Sequence, residues 1–561
     1  MEKHLHVAAS RLAQVAHESL WLWRLSGDDQ WLQQALQVAA WFGRNQPSVD
    51  RADLAATHAL GALIMAIDWV PVSRWPVGEL QRALAAAQKL HNDLTLHVVT
   101  GPRGLRVKLE SHRTEILPSL AVASLVLAVR APAQQAACTE VLDHFLSQPW
   151  PWGGDDGGFA NGTAYGTWDV LSFIQPWDHF RRATGVDPVQ TAPGVRAFGD
   201  FAAYFMRPSE PGSKYGDAAE RDITEARARM IRAYAARRGD PALVAFASTF
   251  HGADESRLEL LTAPIIKANA VATPPVLQPV RVFESVGMAS LRDGAHPDQG
   301  LVAYLRGSPY GAQSHAHADQ NGVLLYVDGQ PWLLPSGVYD QYGSPHHLGW
   351  TRRTVAHNTL TYDGGKGQTQ DDARGGNAQA TGQVRGHGHQ GGVGWVWADA
   401  TAAYGGLLTR YWRWVLRLDN DTVAIVDDVK ALQPHRWELN FHTAAAGRLS
   451  SDGRSVVSHL AGAGACMNSL SRQGGVRWDL QPDVAPPAPR WADKLAWPLP
   501  RHQRVLSVKP VRQLTHVALL TRGSCSSAWQ VTFTEQGLTL QGKSARANID
   551  IARGQVAISG R

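Results

Sequence analysis

Apolar positions recur at helical spacing through roughly the first 270 residues and then switch to simple alternation. Leu60, Ile64 and Ile67 fall at i, i+4 and i+7 in a segment that starts near Asp53, and the Ala-rich stretch 81–87 has high helix propensity. Ser26-Gly27-Asp28-Asp29 separates two Trp-rich segments and supplies both a helix stop and an N-cap. The same spacing predicts helices near 112–130, 133–147, 165–185, 192–206 and 216–262. This succession, joined by short turns, suggests paired helices in a ring or solenoid, although no sequence repeat of fixed period accompanies it. The prolines between Thr273 and Pro279 break helix. Beyond them the run 323–327, the turn Asp328-Gly329 and Trp332-Leu333-Leu334 read as a hairpin. Trp412, Trp414, Leu416 and Leu418 alternate with Arg413 and Arg417, Asp419-Asn420-Asp421 turns into 423–426, and Trp437, Leu439 and Phe441 alternate again. The pattern predicts an α+β multidomain chain: an all-helical domain over 1–272 and stacked antiparallel sheets over 280–561, with loops at 363–394 and 484–500.

A length of 561 residues fits at least two domains, and 44% hydrophobic with 18% charged residues excludes a disordered chain. Twenty-one Trp residues favour a carbohydrate partner, since indole stacks on sugar rings. A net charge of +5, without a Lys/Arg run, suits an acidic ligand and not a nucleic acid. Cys138, Cys466 and Cys525 are odd in number and far apart, so neither a disulfide nor a cysteine zinc site is expected. The start Met1-Glu2-Lys3-His4-Leu5-His6 has no apolar core of an export signal, and no run looks long enough to cross a membrane. As written, the chain reads as soluble and cytoplasmic; a truncated start would change that to periplasmic or secreted.

Three clusters could carry chemistry. In Glu110-Ser111-His112-Arg113-Thr114-Glu115, His112 and Glu115 are three apart at a helix start and share a face. Alone, this reads as a capping arrangement. The segment from Trp152 to Gly166 is Gly-rich and ends at Asn161, Tyr165 and Gly166, where a loop enters a helix. Alone, it reads as a loop with a packing tyrosine. The densest is Ser314-His315-Ala316-His317-Ala318-Asp319-Gln320-Asn321, followed by Tyr339, Tyr342, His346-His347, Trp350 and His357-Asn358. On a strand, His315 and His317 would point to one face, the geometry of two ligands or of a ligand plus a catalytic imidazole. Here function is the better reading, whereas His387-Gly388-His389, in a Gly-rich stretch, reads as incidental.

The third cluster resembles the signature of the heparinase II/III-like polysaccharide lyases, a His-x-His-Ala-Asp-Gln-Asn run. Ser336-Gly337-Val338-Tyr339 and the segment from Trp350 to His357-Asn358 resemble two further stretches of that family. His112-x-x-Glu115 and Tyr165-Gly166 resemble its helical half. The resemblance implies an incomplete α/α toroid followed by antiparallel sheets, with the active site in the cleft between them. It implies that Tyr165 is the catalytic tyrosine and that His112 neutralises the uronate carboxylate, or acts as base for the opposite epimer. Glu115 would support His112, and His315 would be a second catalytic histidine. Arg113, Asn161, Tyr339, His347, Trp350 and Arg352 are the candidate substrate contacts. His317 and His357 match positions that hold a structural zinc, with an Asp, in some members. Where that Asp would align, this chain has Pro335, with Asp340 or Asp319 as the nearest replacements.

The implied chemistry is β-elimination on a 4-linked uronate. The C5 proton lies beside a carboxylate, so charge must be neutralised there, and each preorganised donor is worth roughly 3–4 kcal/mol. A protonated His112 would serve, and a carboxylate at its side would favour that protonation. Tyrosine ionises near about 10, so positive neighbours such as His315 and Arg352 must help it act as a base. The chemistry requires no cofactor; a structural zinc or other divalent ion is the only one the resemblance brings in. The expected substrate is an acidic glycan: heparin or heparan sulfate, or chondroitin or hyaluronan, with oligoalginate as the alternative. Arg106, Lys108, Arg113, Arg352 and Arg353 are available for sulfates but do not choose between these. A hydrolase would need two acidic residues across the bond, for which Asp155, Asp156 and Glu115 are the candidates. A non-catalytic glycan-binding protein would not need Tyr165, His112 and His315 together.

Overall fold

Asp28 accepts the backbone N–H of Gln30 at 3.0 Å and Gly27 adopts φ +71°, so helix α1 (Glu2–Ser26) stops and α2 (Asp29–Arg44) starts across a single turn. These coordinates are a computed structural model, which describes residues 2–560 without 102–110, 148–152, 211, 218–219, 251–272, 295, 297, 338, 371–375, 461–462, 482–500 and 527. Arg106, Lys108, Glu110, Trp152, Val338, the whole stretch 484–500 and the end of the helix expected over 216–262 lie outside the described residues.

The next helices are α3 (Val49–Trp69), α4 (Glu79–Thr95), α5 (Ser111–Arg130), α6 (Gln135–Ser147), α7 (Thr163–Thr184), α8 (Pro193–Phe205), α9 (Glu220–Arg238) and α10 (Pro241–Ala247). Packing runs mostly between sequence neighbours: α1 on α2 and α3, α3 on α4 and α5, α5 on α6, the arrangement of an incomplete α/α toroid. Leu32, Phe42, Leu60, Leu63, Ile67 and Leu90 are buried in this core, and the alanines at 55, 59, 62 and 66 let α3 approach its neighbours closely. Helix α5 is long and apolar enough to cross a membrane, contrary to the expectation from the sequence; just over half of its most apolar window (56%) is buried inside the structure, as in a core helix.

Two compact units form, and they do not part where helix gives way to strand. One is Met1–Trp152 with Asp169–Arg196; the other is Gly153–Trp168 with Ala197–Arg561. The change of period near 272–280 therefore marks secondary structure rather than packing. Phe201 and Phe205 set their rings against Phe283 at 5.1 and 5.8 Å, and the hydroxyl of Tyr204 accepts the Gln278 N–H at 2.6 Å, which ties the end of α8 to the sheets.

Among the described residues, the second unit carries three antiparallel sheets. The first runs through Val280–Phe283, Met288–Leu291, Leu301–Arg306, Gly322–Val327 and Gln330–Leu333 to Trp437–Thr443, Arg501–Ser507 and Val476–Gln481, with Leu360–Tyr362 also on Trp437–Thr443. Asp328 (φ 47°) and Gly329 (φ 77°) make the expected hairpin turn. The second sheet includes Val393–Asp399, Leu408–Arg417, Thr422–His435 and Val511–Arg522, and the third spans Gln530–Phe533 to Gln555–Gly560. Val415 and Ile425 join Leu325, Trp332 and Leu439 in a core between the first two sheets. Trp414, Leu416 and Val426 face Leu538, Leu540 and Ile549 of the third. Both faces of the middle sheet are thus buried. Arg413 points inward, held by Asp427 through Nε at 2.6 Å and by the carbonyls of Asn321 and Asn358.

Three expectations change. The stretch 363–394 is not all loop: Gln383–Gln390, containing His387 and His389, is a strand. Its glycines exist because the rings of Trp397 and Trp395 lie over Gly386 and Gly388, where a Cβ would come within 2.8 and 2.9 Å. His315 and His317 lie in an irregular loop between Leu301–Arg306 and Gly322–Val327, not on a strand, with Ser314 at φ 49°. Cys466 and Cys525 form a disulfide with Cα atoms 5.1 Å apart, because pairing of Ala463–Ser471 with Val511–Arg522 brings them together across a separation of 59 residues. Closing a loop of that length contributes about 4 kcal/mol on the chain-entropy account. Replacing both cysteines by serine should lower the unfolding free energy by about that amount. An unchanged denaturation midpoint would contradict this.

Candidate active site

In the second unit the Gly-rich loop locks onto two other segments. Gly162 (φ +87°) lies so close to the carbonyl of Tyr215 that a Cβ would sit 2.1 Å from it, and at Gly216 (φ +72°) a Cβ would meet the carbonyls of Asn161 and His315. Thr163 donates its N–H to Lys214, Asp217 donates its N–H to the His315 carbonyl at 2.9 Å, and Oδ1 of Asn161 accepts the N–H of His315 at 3.0 Å. Below this, Lys214 is buried against Glu210 at 3.4 Å, with Arg292 on the same carboxylate at 3.1 Å. Burial brings the Lys214 ammonium down to about 8, opposed by Glu210.

The product of this interlock is a carboxylate among imidazoles. Asp217 is fully buried and takes Nδ1 of His315 at 2.7 Å, Nε2 of His317 at 2.7 Å and Nε2 of His347 at 3.1 Å. Burial would raise its pKa, but hydrogen bonds from the three rings hold it well below the usual carboxylate range. An ionised Asp217 only accepts, so His315 carries its proton on Nδ1 and, when neutral, a lone pair on Nε2. Burial lowers the His315 pKa, with Asp217 opposing. The ring of Tyr165, in the first turn of α7, stacks on His315 with centroids 3.6 Å apart and planes 14° apart. Tyr165 also hydrogen-bonds Tyr339, and Tyr342 lies 5.2 Å from His315, ring to ring.

Other candidates lie deeper than expected of substrate contacts. Arg352 is fully buried, donating to the hydroxyl of Tyr342 and the carbonyl of Ala316, both at 3.2 Å, and so props the His315 loop from beneath. His347 and Asn161 are buried as parts of the same scaffold. Trp350 is half-buried, its Nε1–H on the Ser336 carbonyl at 3.1 Å.

The helical unit holds a separate cluster. His112, in the first turn of α5, places Nδ1 at 3.0–3.1 Å from both carboxylate oxygens of Asp53 on α3, and Nε2 of His97 lies 3.3 Å from Asp53. Glu115 faces His58 at 3.6 Å, and burial raises its pKa, with His112 opposing. The carboxylate hydrogen-bonded to His112 is thus Asp53, not the Glu115 expected from the sequence. Asp53 gives a faint signal: an acid on the apolar face that Ala56 and Leu60 continue. Arg113, expected at substrate, is buried and contacts His144 at 2.5 Å.

The two histidines expected to hold a metal, His317 and His357, do lie together, with ring centroids 5.1 Å apart, but the acid expected beside them is Pro335. His357 donates its Nε2–H to the Thr351 carbonyl at 3.0 Å, and burial lowers its pKa to about 4. Asp319 pairs with Arg306, and Asp340 takes the hydroxyl of Ser344 at 2.6 Å, so neither replaces the acid lost at Pro335. Asp217, His317 and His347 instead bring ligand atoms within 4.8 Å of one another, close enough to hold an ion. Their hydrogen bonds do not fit one. The N–H of Gly343 donates to Nδ1 of His347 at 2.9 Å, which puts that ring's proton on Nε2, the atom a metal would need. His317 gives its Nε2–H to Asp217, so that nitrogen too is occupied by a proton, and its Nδ1 has no hydrogen-bond partner among the described residues. Exhaustive chelation should therefore leave turnover and melting temperature unchanged; a stoichiometric transition metal by elemental analysis, lost together with activity, would refute this.

Comparisons follow the same architecture. Residues 275–541 match the family described as heparinase II/III-like, C-terminal. A crystal structure of heparinase III superposes with a TM-score of 0.67 at 15% identity, over 97% of this chain and 81% of that one. The heparan sulfate lyase HepC from Pedobacter heparinus gives 0.65 at 13% identity, again over 97% and 81%. At such identities the likeness is one of fold. No curated protein matches in sequence. With its helical toroid, its antiparallel sheets and this match across the sheet half, the chain is similar to the heparinase II/III-like family in the sequence of its sheet half and in its fold.

Proposed function

We propose that the chain is a polysaccharide lyase that cleaves 4-linked uronic-acid glycans by β-elimination, with glycosaminoglycans of the heparan sulfate or chondroitin type as its substrate class. The observation that carries this reading is the phenol of Tyr165 stacked on His315, whose tautomer is set by Asp217. That pairing places two proton carriers side by side, one of them with a defined lone pair, as an elimination requires. The names of the structures that share the fold, heparinase III and heparan sulfate lyase, point to the same substrate class.

In the proposed reaction a base removes the proton on C5, the C4–O4 bond breaks, and the electron pair becomes the C4–C5 double bond while O4 gains a proton. Tyr165 and His315 are the groups for these two transfers. Neutralising the uronate carboxylate falls to His112, which sits on ionised Asp53. Burial would raise Asp53, but hydrogen bonds from His112 and His97 hold it well below the usual carboxylate range.

A panel of uronic-acid polymers followed in the ultraviolet tests this directly. A rise near about 235 nm marks the conjugated double bond that hydrolysis does not create. Reducing-end release without that absorbance would replace the lyase with a hydrolase. Turnover of oligoalginate alone would keep the reaction and change the substrate class.

A further inference from the structure

We infer that Asp53 is the positioning residue that holds the imidazole of His112 protonated and oriented, with His97 as a second ring on the same carboxylate; what the charged ring does rests on the lyase reading above. Three separate elements converge on this carboxylate. His112 comes from the first turn of α5, His97 from the single turn Leu96–Thr100 that follows α4, and Asp53 from α3. Helix α3 is interrupted at Ala52 (φ −161°, ψ 61°), so Asp53 opens its regular part, and Oδ1 also accepts the N–H of Leu54 at 2.8 Å. The acid is thereby pinned from its own backbone before any ring reaches it.

Orientation follows from the contact. An ionised Asp53 3.0 Å from Nδ1 of His112 requires a proton on that nitrogen, and the ring's Nε2 lies on the opposite edge. About a third of the His112 side chain is exposed (35%), against 12% for Asp53. Among the described residues, the other titratable groups around His112 are His6 on α1, His58 and Asp53 on α3, His97, and Glu115 one turn further along α5. His6 and His58, where charged, oppose a charge on His112. Glu115 favours one, but burial pushes its carboxyl toward the neutral form. Among the described residues, Asp53 is therefore the negative group in direct contact with His112. The sign is direct: removing that charge favours the neutral ring, so His112 gives up its proton at lower pH.

The test uses the full chain with labelled histidine, the His112 signal being identified by its loss in His112→Asn. Asp53→Asn should lower the His112 titration midpoint by about one unit or more and carry the basic limb of the kcat/KM profile down with it, a loss of about tenfold per unit above that limb. Asp53→Glu keeps the charge and should keep the limb within about half a unit even if kcat falls or the Asn variant does not fold. An unmoved His112 midpoint in Asp53→Asn, or a limb that moves in Glu115→Gln instead, overturns the inference. If the midpoint shifts as expected while the native chain yields no unsaturated product from any uronate polymer, the lyase reading falls and the Asp53–His112 assignment stands.

Discussion

Replacing Tyr165 by phenylalanine should reduce kcat on the order of 10³-fold while leaving the fold intact, the range expected when one acid–base group is removed. Phenylalanine keeps the ring that stacks on His315 at 3.6 Å and loses only the hydroxyl, together with its hydrogen bond to Tyr339. No cavity opens and no buried charge is stranded, so the melting temperature should move little and KM should change by less than about threefold, as for a group acting in the transition state. Steady-state rates on the polymer that gives the largest ultraviolet signal decide the matter. A variant within tenfold of the native rate would remove Tyr165 from the chemistry, and an effect confined to KM would reduce it to a sugar-stacking platform.

Asp217→Asn should damage both stability and rate. The carboxylate accepts from three imidazoles inside the second unit, and a carboxamide of the same shape offers one acceptor oxygen and turns an N–H₂ toward a ring N–H. Breaking a buried charged network of this kind costs about 3–5 kcal/mol. The rate should fall further than stability explains, by roughly 10²–10⁴, because His315 loses the partner that keeps its proton on Nδ1. Urea denaturation and kcat measured on the folded fraction separate the two effects. Native-like stability with native-like turnover would show that Asp217 is not the hub of the site.

Much of the architecture was legible in the chain because periodicity is a local property. Asp28 as a cap, Asp328-Gly329 as a turn and Leu60-Ile64-Ile67 as a buried helix face all stand as read. Misreadings arose where a distant partner set the local choice. Gly386 and Gly388 sit in a strand because tryptophans from the neighbouring strand cover them, and Cys466 meets Cys525 only through strand pairing. Among the candidate residues, His112, Tyr165 and His315 carry recognisable surroundings, whereas Asp217 follows only Tyr215-Gly216 and Asp53 is one acid among many.

The order of residues alone determined that helices precede sheets, where most of them start and stop, and which histidines and which tyrosine were the candidates. Only the folded chain decided which carboxylates serve them. It put Asp217 under His315, His317 and His347, and Asp53 rather than Glu115 under His112. Spacing along a helix or strand reports which face a side chain takes, but a hydrogen bond of 2.7 Å between residues about a hundred positions apart depends on every turn between them.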